Sequence, residues 1–185
     1  MQASQQGISA GAGGRYQVVP RTLIFVTSIN PENGNEDLLL IKGAPTKRLW
    51  ANKYNGIGGH VEPGEDFLAG AQRELAEETG LRDVALTLVG VLNIAVRPDG
   101  DPPSGVAVFV FSGQTASRTL NASREGELHW VALADVESLP LVDDLYQLLP
   151  LLRNSQTTIY GQYQPDDDGA MIYRFRVPFS HPSSL

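Results

Sequence analysis

The sequence contains no cysteine, has no long apolar run and carries few positive charges. Without cysteine, the chain has no disulfide bond, no thiolate zinc site, no iron–sulfur cluster and no thiol nucleophile. Its longest apolar runs, such as residues 106–111, are far too short to cross a bilayer. The first residues also lack the basic and apolar regions of a secretory signal. These absences favour a cytoplasmic protein that has no membrane partner.

The charge balance bears on the class of ligand. Acidic residues outnumber basic residues by 21 to 14, which gives a formal net charge of -7. Such a chain repels the phosphates of DNA and RNA, so a nucleic acid polymer is not expected as a partner. An acidic protein that handles a phosphorylated small molecule needs cations between itself and that ligand. The oligomeric state stays open.

The 185 residues, of which 42% are hydrophobic, suffice for one domain with its own core. Residues 1–14 and 178–185 offer little to bury, so we expect a flexible N-terminal tail and a C-terminal tail around a single domain over 15–177. Strand patterns before, between and after two helix patterns predict an α+β fold. Predicted strands span 21–29, 37–43, 84–96, 106–113 and 128–133, with a closing hairpin at 158–163 and 171–177.

Two helices are predicted. The first runs from Phe67 to Thr79, with Asp66 as its N-cap and Gly80 as the residue that ends it. The second covers 143–154, with a break or kink near Pro150. Residues at helical spacing predict the buried face of the first helix, which comprises Leu68, Ala71, Leu75 and Thr79.

Three glutamates, Glu74, Glu77 and Glu78, lie together on another face of the first helix. Their mutual repulsion requires either a raised pKa on one carboxyl or bound cations. Carboxylate oxygens are hard ligands, which points to Mg²⁺, with Mn²⁺ as an alternative. Mg²⁺ held by few carboxylates keeps positions for water and phosphate, as hydrolysis of a phosphoanhydride requires. The other interpretation is a solvated acidic helix face.

The spacing around these glutamates is specific. From Gly59 the sequence reads G-x5-E-x7-R-E-U-x-E-E-x-G-U, where U is apolar, and every defined position is matched. This pattern resembles the Nudix box, the signature of hydrolases that cleave nucleoside diphosphates linked to another group. The resemblance implies a Nudix fold, in which a mixed β-sheet is sandwiched between helices in an α/β/α arrangement. The box itself would form a loop–helix–loop.

The resemblance also implies roles for individual residues. Glu74, Glu77 and Glu78 would ligate the divalent cations, and one of them would act as a base. The Gly58 carbonyl would be a further metal ligand. Glu65 and Arg73 would hold the loop to the helix through an ion pair. The glycines required for backbone geometry would be Gly59, Gly64 and Gly80.

Three further segments resemble the MutT-type and oxidised purine nucleoside triphosphatase subgroup. In "KYNGIGGHVEPGE", Asn55 matches an asparagine that bonds the purine; a turn residue is the alternative. In "SREGELHWVAL", Glu125 is the candidate for another metal ligand or base, with Glu127 second. In "VDDLYQLLPLL", Asp143 and Asp144 would read the base as two carboxyls that share a proton. A helix cap at Asp143 is the alternative.

The leading hypothesis is a Mg²⁺-dependent pyrophosphohydrolase that converts a nucleoside triphosphate, such as 8-oxo-dGTP, to a monophosphate and pyrophosphate. Lys47, Arg48 and Lys53 would contact the triphosphate or be surface cations. A second hypothesis keeps the chemistry but changes the substrate to ADP-ribose, a nucleotide sugar or a dinucleotide polyphosphate. A third is a non-catalytic nucleotide-binding module, although such modules tend to lose box carboxylates and this chain keeps all of them. A structural interaction domain with an acidic helix is a fourth.

Overall fold

The computed structural model describes residues 15–46, 48–100 and 103–178. The predicted N-terminal tail, Lys47 and residues 179–185 lie outside this range. Within it the chain forms eight strands and two α-helices. In chain order these are β1 (Gln17–Ile29), β2 (Glu36–Gly43), β3 (Tyr54–Asn55), α1 (Phe67–Thr79), β4 (Thr87–Arg97), β5 (Ser104–Gln114), β6 (Gly126–Ala132), α2 (Leu145–Asn154), β7 (Ile159–Pro165) and β8 (Met171–Arg176).

All the strands belong to one mixed sheet in the order β3-β2-β1-β5-β4-β7-β8, and β6 pairs with β2 off this path. The β1–β5 and β4–β7 pairs are parallel, and the other strand pairs are antiparallel. The parallel β1–β5 pair is in register over eleven residues, from Gln17–Ser104 to Thr27–Gln114. The sheet is therefore organised around two long central strands whose neighbours supply the functional loops.

Alternation along the central strands divides the core into two layers. Ile24 and Val26 of β1 pack with Ala71 and Leu75 of α1 on one face of the sheet. Phe25, between them in sequence, packs on the opposite face, in the layer that contains the buried leucines of α2. Side chains alternate between the faces of a strand, so an unbroken apolar run can fill both layers. The predicted α+β sheet between helices is confirmed.

Helix α1 has the predicted bounds and the predicted caps. The Asp66 carboxylate accepts a hydrogen bond from the Ala69 N–H, and Gly80 ends the helix in the left-handed conformation with φ 81°. Ala71 and Leu75 are buried as expected, but the prediction for Leu68 is wrong, since its side chain is 41% exposed. The first turn of the helix projects beyond the core. There Phe67 stacks on Phe109 with 3.7 Å between ring centroids.

Helix α2 begins at Leu145 and continues through Pro150 to Asn154, so the predicted break is wrong. Its buried residues Leu145, Leu148 and Leu149 hold the turns before Pro150 against the sheet, so this short helix continues despite the missing amide hydrogen bond. The cap position is Asp144, and no side chain caps the first turn. In the described part of the chain, no helix is long and apolar enough to cross a membrane.

Candidate active site

The segment before α1 is attached to β1 by backbone hydrogen bonds. The amide N–H groups of Ile24 and Ile57 donate to each other's carbonyls at 2.7 and 3.1 Å. Two residues further on, the Thr22 N–H donates to the Gly59 carbonyl at 2.9 Å. These bonds fix the loop that leads into α1 on a central strand of the sheet. The glutamates of α1 are thereby placed relative to a rigid part of the fold.

Two consecutive glycines allow close approaches in this loop. Gly58 has φ 152°, and a Cβ there would lie 2.2 Å from the Thr22 carbonyl oxygen. A Cβ on Gly59 would lie 2.5 Å from the carboxylate of Glu74. Within the described residues, the Gly58 carbonyl accepts no hydrogen bond, whereas the Gly59 carbonyl accepts one from Thr22. The Gly58 oxygen is thus a backbone acceptor of this loop to which none of the described residues donates a hydrogen bond.

Arg73 connects the loop to the helix. Its guanidinium donates to Glu65 at 2.7 and 3.1 Å, and its Nη2 donates to the His60 carbonyl at 2.9 Å. The pKa of Glu65 is lowered by the hydrogen bonds from Arg73 and from the Glu62 N–H. The pKa of Arg73 is raised, mainly by Glu65 and then by Glu74. The ion pair that the sequence predicts between Glu65 and Arg73 is therefore present.

The same guanidinium binds two of the three clustered glutamates. Arg73 Nη1 lies 2.9 Å from Glu74 Oε1 and 3.2 Å from Glu77 Oε2. The Glu74 side chain is 15% exposed, whereas that of Glu77 is 62% exposed. One arginine therefore offsets part of the repulsion between the carboxylates.

A cavity of about 500 Å³ opens beside this network. Glu74 and Glu78 of α1 line it, together with Glu125 from the loop before β6 and the backbone at Gly58 and Gly59. Glu77 is not among its lining residues. The structure thus brings together two of the three helix glutamates with a carboxylate from a segment almost fifty residues away in sequence.

Glu125 reaches the cavity because β6 approaches β2 closely. Gly43 and Gly126 are register partners, and a Cβ on Gly126 would lie 2.1 Å from the Lys42 carbonyl oxygen. Glu127, the second candidate, does not line the cavity; its carboxylate lies 3.5 Å from His129 Nε2. The structure therefore favours Glu125 over Glu127 as the cavity carboxylate.

The oxygen donors of this end of the cavity suit a hard divalent cation by their chemistry. As the side chains stand in the described residues, no three acidic or histidine groups converge closely enough to hold a metal ion. Glu74 and Glu77 are bound to Arg73 instead. Glu74 binds Arg73 through Oε1, so its second carboxylate oxygen is not used in this ion pair. The residue types suit a divalent cation, and the rotamers of Glu74 and Glu77 are those that bind Arg73.

The cavity lining also includes cationic side chains. Arg21, Arg48 and Lys53 line it, as do the His60 ring and Asn55. Arg21 Nε and Nη2 lie 3.2 and 2.9 Å from His60 Nε2, so this ring nitrogen acts as an acceptor. The Asn55 side-chain oxygen accepts a hydrogen bond from the Gly56 N–H at 2.8 Å, as the turn interpretation predicts. Asn55 is also one of the residues that line the cavity.

Asp143 and Asp144 bind different partners in this structure, and the sharing of a proton between them on a bound base stays a prediction. Asp143 is exposed and lies 2.5 Å from Lys53 Nζ, which raises the pKa of that lysine. It makes no helix cap, so that alternative is also wrong. Asp144 turns inward, where burial raises its pKa and the buried Tyr163 hydroxyl donates to it at 3.0 Å. Neither aspartate lines the cavity, although Lys53 joins Asp143 to its rim.

Two cavity residues, Arg21 and Trp50, were missed by reasoning from the sequence. Arg21 begins a predicted strand, and nothing in its local pattern indicates which loop lies beside it. Trp50 had a signal, because a tryptophan in a polar loop between basic residues has no apolar stripe to join.

A mixed sheet between two helices, with glutamates on a loop–helix–loop beside a cavity, defines the class of protein as a hydrolase with the Nudix architecture. The family model described as NUDIX domain matches residues 21–152. The chain belongs to this family and is a Nudix pyrophosphohydrolase. Enzymes of this family generally need a divalent metal ion.

Named relatives agree with this assignment. The chain is 31% identical over 138 residues to the oxidized purine nucleoside triphosphate hydrolase of Mus musculus. The aligned segment covers 74% of this chain and 86% of the mouse protein. The MutT protein of Bacillus halodurans has a TM-score of 0.70 at 22% identity and covers 85% and 97% of the two chains. The NUDIX domain of Shewanella oneidensis NrtR, solved with ADP ribose, has a TM-score of 0.64 at 15% identity and covers 83% and 97%. The structural likenesses support the fold.

Proposed function

We propose that the protein hydrolyses nucleoside triphosphates to a nucleoside monophosphate and pyrophosphate, with an oxidised purine nucleotide such as 8-oxo-dGTP as the favoured substrate. The observation that carries the proposal is the charge of one cavity lining, which combines carboxylates with cations. A triphosphate with a bound divalent cation matches this combination. The name of the mouse relative supports the choice of an oxidised purine.

In this proposal Glu74, Glu78, Glu125 and the Gly58 carbonyl hold Mg²⁺ or Mn²⁺, while Glu77 supports the site through its ion pair with Arg73. When bound, the cation supplies charge neutralisation and a more acidic water. Arg21, Arg48 and Lys53 of the same lining orient the phosphate chain. The water oxygen forms a bond to phosphorus, the phosphoanhydride P–O bond breaks, and a cavity carboxylate accepts the proton. Attack at the α- or the β-phosphorus gives the same two products.

The charge of a triphosphate explains why the site needs cations beside its carboxylates. A triphosphate brought to Glu74 and Glu78 without cations would add like charges to an acidic protein. The cations of the lining balance the phosphates that lie outside the metal site. Asn55 would then lie beside the nucleoside, with Lys53 and Asp143 at the rim. Cytoplasmic function is part of the proposal, because the chain has no cysteine that depends on an oxidising compartment.

The second candidate keeps the reaction but changes the substrate to ADP-ribose, a nucleotide sugar or a dinucleotide polyphosphate. The observation in its favour is the likeness to the NrtR domain, which was solved with ADP ribose. This likeness rests on 15% identity, so it concerns the fold more than the base pocket.

The test is a comparison of kcat/KM for 8-oxo-dGTP, the four ordinary dNTPs, ADP-ribose, UDP-glucose and diadenosine tetraphosphate, each with Mg²⁺. Preference for 8-oxo-dGTP with release of pyrophosphate supports the first candidate. Preference for ADP-ribose or UDP-glucose supports the second candidate function instead. Tight nucleotide binding without turnover of any of these compounds contradicts both.

A further inference from the structure

The connection between β2 and β3 forms one wall of the cavity and is closed at its base by backbone hydrogen bonds. The Gly43 N–H donates to the Lys53 carbonyl at 3.0 Å, and the Asn52 N–H donates to the Gly43 carbonyl at 2.9 Å. The Lys53 N–H donates to the Trp50 carbonyl at 3.1 Å. Trp50 is thus held by the part of the loop that is anchored to the sheet.

Trp50 adopts an unfavourable backbone conformation. Its φ is 60°, in the left-handed region that bulky side chains rarely enter. A Cβ on Gly43 would lie 2.5 Å from the Trp50 carbonyl oxygen, so glycine at position 43 permits this placement. Strained residues persist where the surroundings determine them, and they concentrate at ligand-binding sites. The loop therefore holds one aromatic residue in place at a cost in folding stability.

The fold gains little from this side chain. Trp50 is 47% exposed, and within the described residues its indole makes no ring contact, cation–π contact or hydrogen bond. The other tryptophan, Trp130, donates its indole N–H to the Arg118 carbonyl at 3.1 Å and lies 4.8 Å from the Arg118 guanidinium. Trp130 is integrated into the fold, whereas Trp50 is presented in the wall of the cavity.

We propose that Trp50 stacks on the nucleobase of the substrate. The cavity that it lines also contains Arg48 and Lys53, whose charges suit phosphates. A ligand that uses both features has a flat aromatic group joined to an anionic chain, which describes a nucleotide. An aromatic face accepts any purine, so Trp50 supplies affinity and Asn55 remains available for selectivity. This inference rests on the proposed function for the choice of a nucleotide as the ligand.

The first experiment uses binding and needs no turnover. The chain has two tryptophans, so Trp130→Phe leaves Trp50 as the sole indole fluorophore. This variant is titrated with dGMP, with ADP-ribose and, as a compound without a base, with inorganic pyrophosphate, all in Mg²⁺. Saturable quenching by dGMP or ADP-ribose, without quenching by pyrophosphate, is expected. The absence of saturable quenching by both nucleotides overturns the inference.

The second experiment measures turnover. Trp50→Ala is expected to reduce kcat/KM for dGTP by about tenfold, mainly through KM, and Trp50→Phe to retain most of the activity. Methyl triphosphate, which has no base, should be processed equally by Trp50→Ala and the parent protein. Tyr160→Ala is the matched control, because Tyr160 is a similarly exposed aromatic outside the cavity lining.

The two experiments separate this inference from the proposed function. Unchanged kcat/KM for dGTP in Trp50→Ala overturns the stacking role while leaving the triphosphatase in place. Quenching by ADP-ribose in a protein that hydrolyses no triphosphate supports the stacking role and contradicts the proposed triphosphatase activity.

Discussion

The carboxylate and cationic parts of the cavity lining are built in different ways. The carboxylate end comes mainly from one continuous segment, 58–81, in which glycines, Arg73 and the glutamates hold one another. The cationic end combines Arg21 of β1 with the β2–β3 loop, where Lys53 binds Asp143 before α2. In the proposed function the local segment carries the reaction, and the distant segments select what is brought to it. This difference explains why a sequence motif reveals the chemistry before it reveals the substrate.

The largest effect is expected at the carboxylate end. Glu78→Gln should reduce pyrophosphate release at least about 100-fold, because it removes an anionic oxygen from the cavity without changing side-chain size. Glu77→Gln should cost about tenfold or less, since Glu77 binds Arg73 outside the cavity lining. Steady-state kinetics of both variants test this difference. Equal melting temperatures serve as the control for intact folding. Equal losses would show that both glutamates turn into the site during the reaction.

The next effect tests how tightly this end is packed. In Gly59→Ala the new Cβ would occupy space 2.5 Å from the Glu74 carboxylate, which would have to move. Activity should fall about 10- to 100-fold while the fold survives, because a flexible side-chain end gives way. Gly34→Ala is the control for a glycine substitution outside the site: its φ is positive, but no atom lies within 4 Å of its Cβ position. Full activity in Gly59→Ala would contradict the packing argument.

A smaller effect is expected at the cationic end. Lys53→Ala should raise KM for a triphosphate about three- to fivefold with little change in kcat, because an exposed charge contributes weakly in water. The increase should shrink as salt is added. Asp143→Asn, which leaves Lys53 in place but removes its partner, serves for comparison and should not raise KM. A loss confined to kcat in Lys53→Ala would place this lysine in the chemical step instead.

The smallest effect concerns stability. Burial raises the pKa of Asp144 in the folded protein, so folding is opposed by ionisation as pH rises above the ordinary aspartate value of about 3.9. Asp144→Asn should therefore be more stable than the parent near neutral pH, with Tm about 2–4 °C higher, and this advantage should vanish below that value. Tyr163, Tyr173, Asp143 and Lys53 are the charged or titratable neighbours. Thermal melts of the parent protein and of Asp144→Asn across a range of pH test this prediction. A difference in Tm that does not change with pH would contradict the expected effect of Asp144 ionisation.

Local features were predictable from the sequence. The bounds and caps of α1 follow from Asp66, Gly80 and helical spacing, all within fifteen residues. Leu68 was predicted wrongly because periodicity does not reveal where the sheet beneath a helix ends. The Nudix spacing predicted an ion pair between Glu65 and Arg73, and both residues belong to the same short segment.

The remaining features depend on tertiary contacts. Asp143 and Asp144 are adjacent in sequence, yet their partners come from the β2–β3 loop and from β7. Their divergence could not be predicted from neighbouring residues. The left-handed conformation of Trp50 depends on Gly43 across the loop, and no pattern of residue types encodes φ at a tryptophan. Substrate-side features are therefore the part of the site for which the structure was required.

The measurement that tests the central claim most directly is pyrophosphate release from 8-oxo-dGTP by the parent protein and by Glu78→Gln, each with Mg²⁺ and with EDTA. The account predicts release by the parent protein with Mg²⁺ alone. Release that persists in EDTA, or that is undiminished in Glu78→Gln, would contradict the assignment of hydrolysis to the carboxylate end of the cavity.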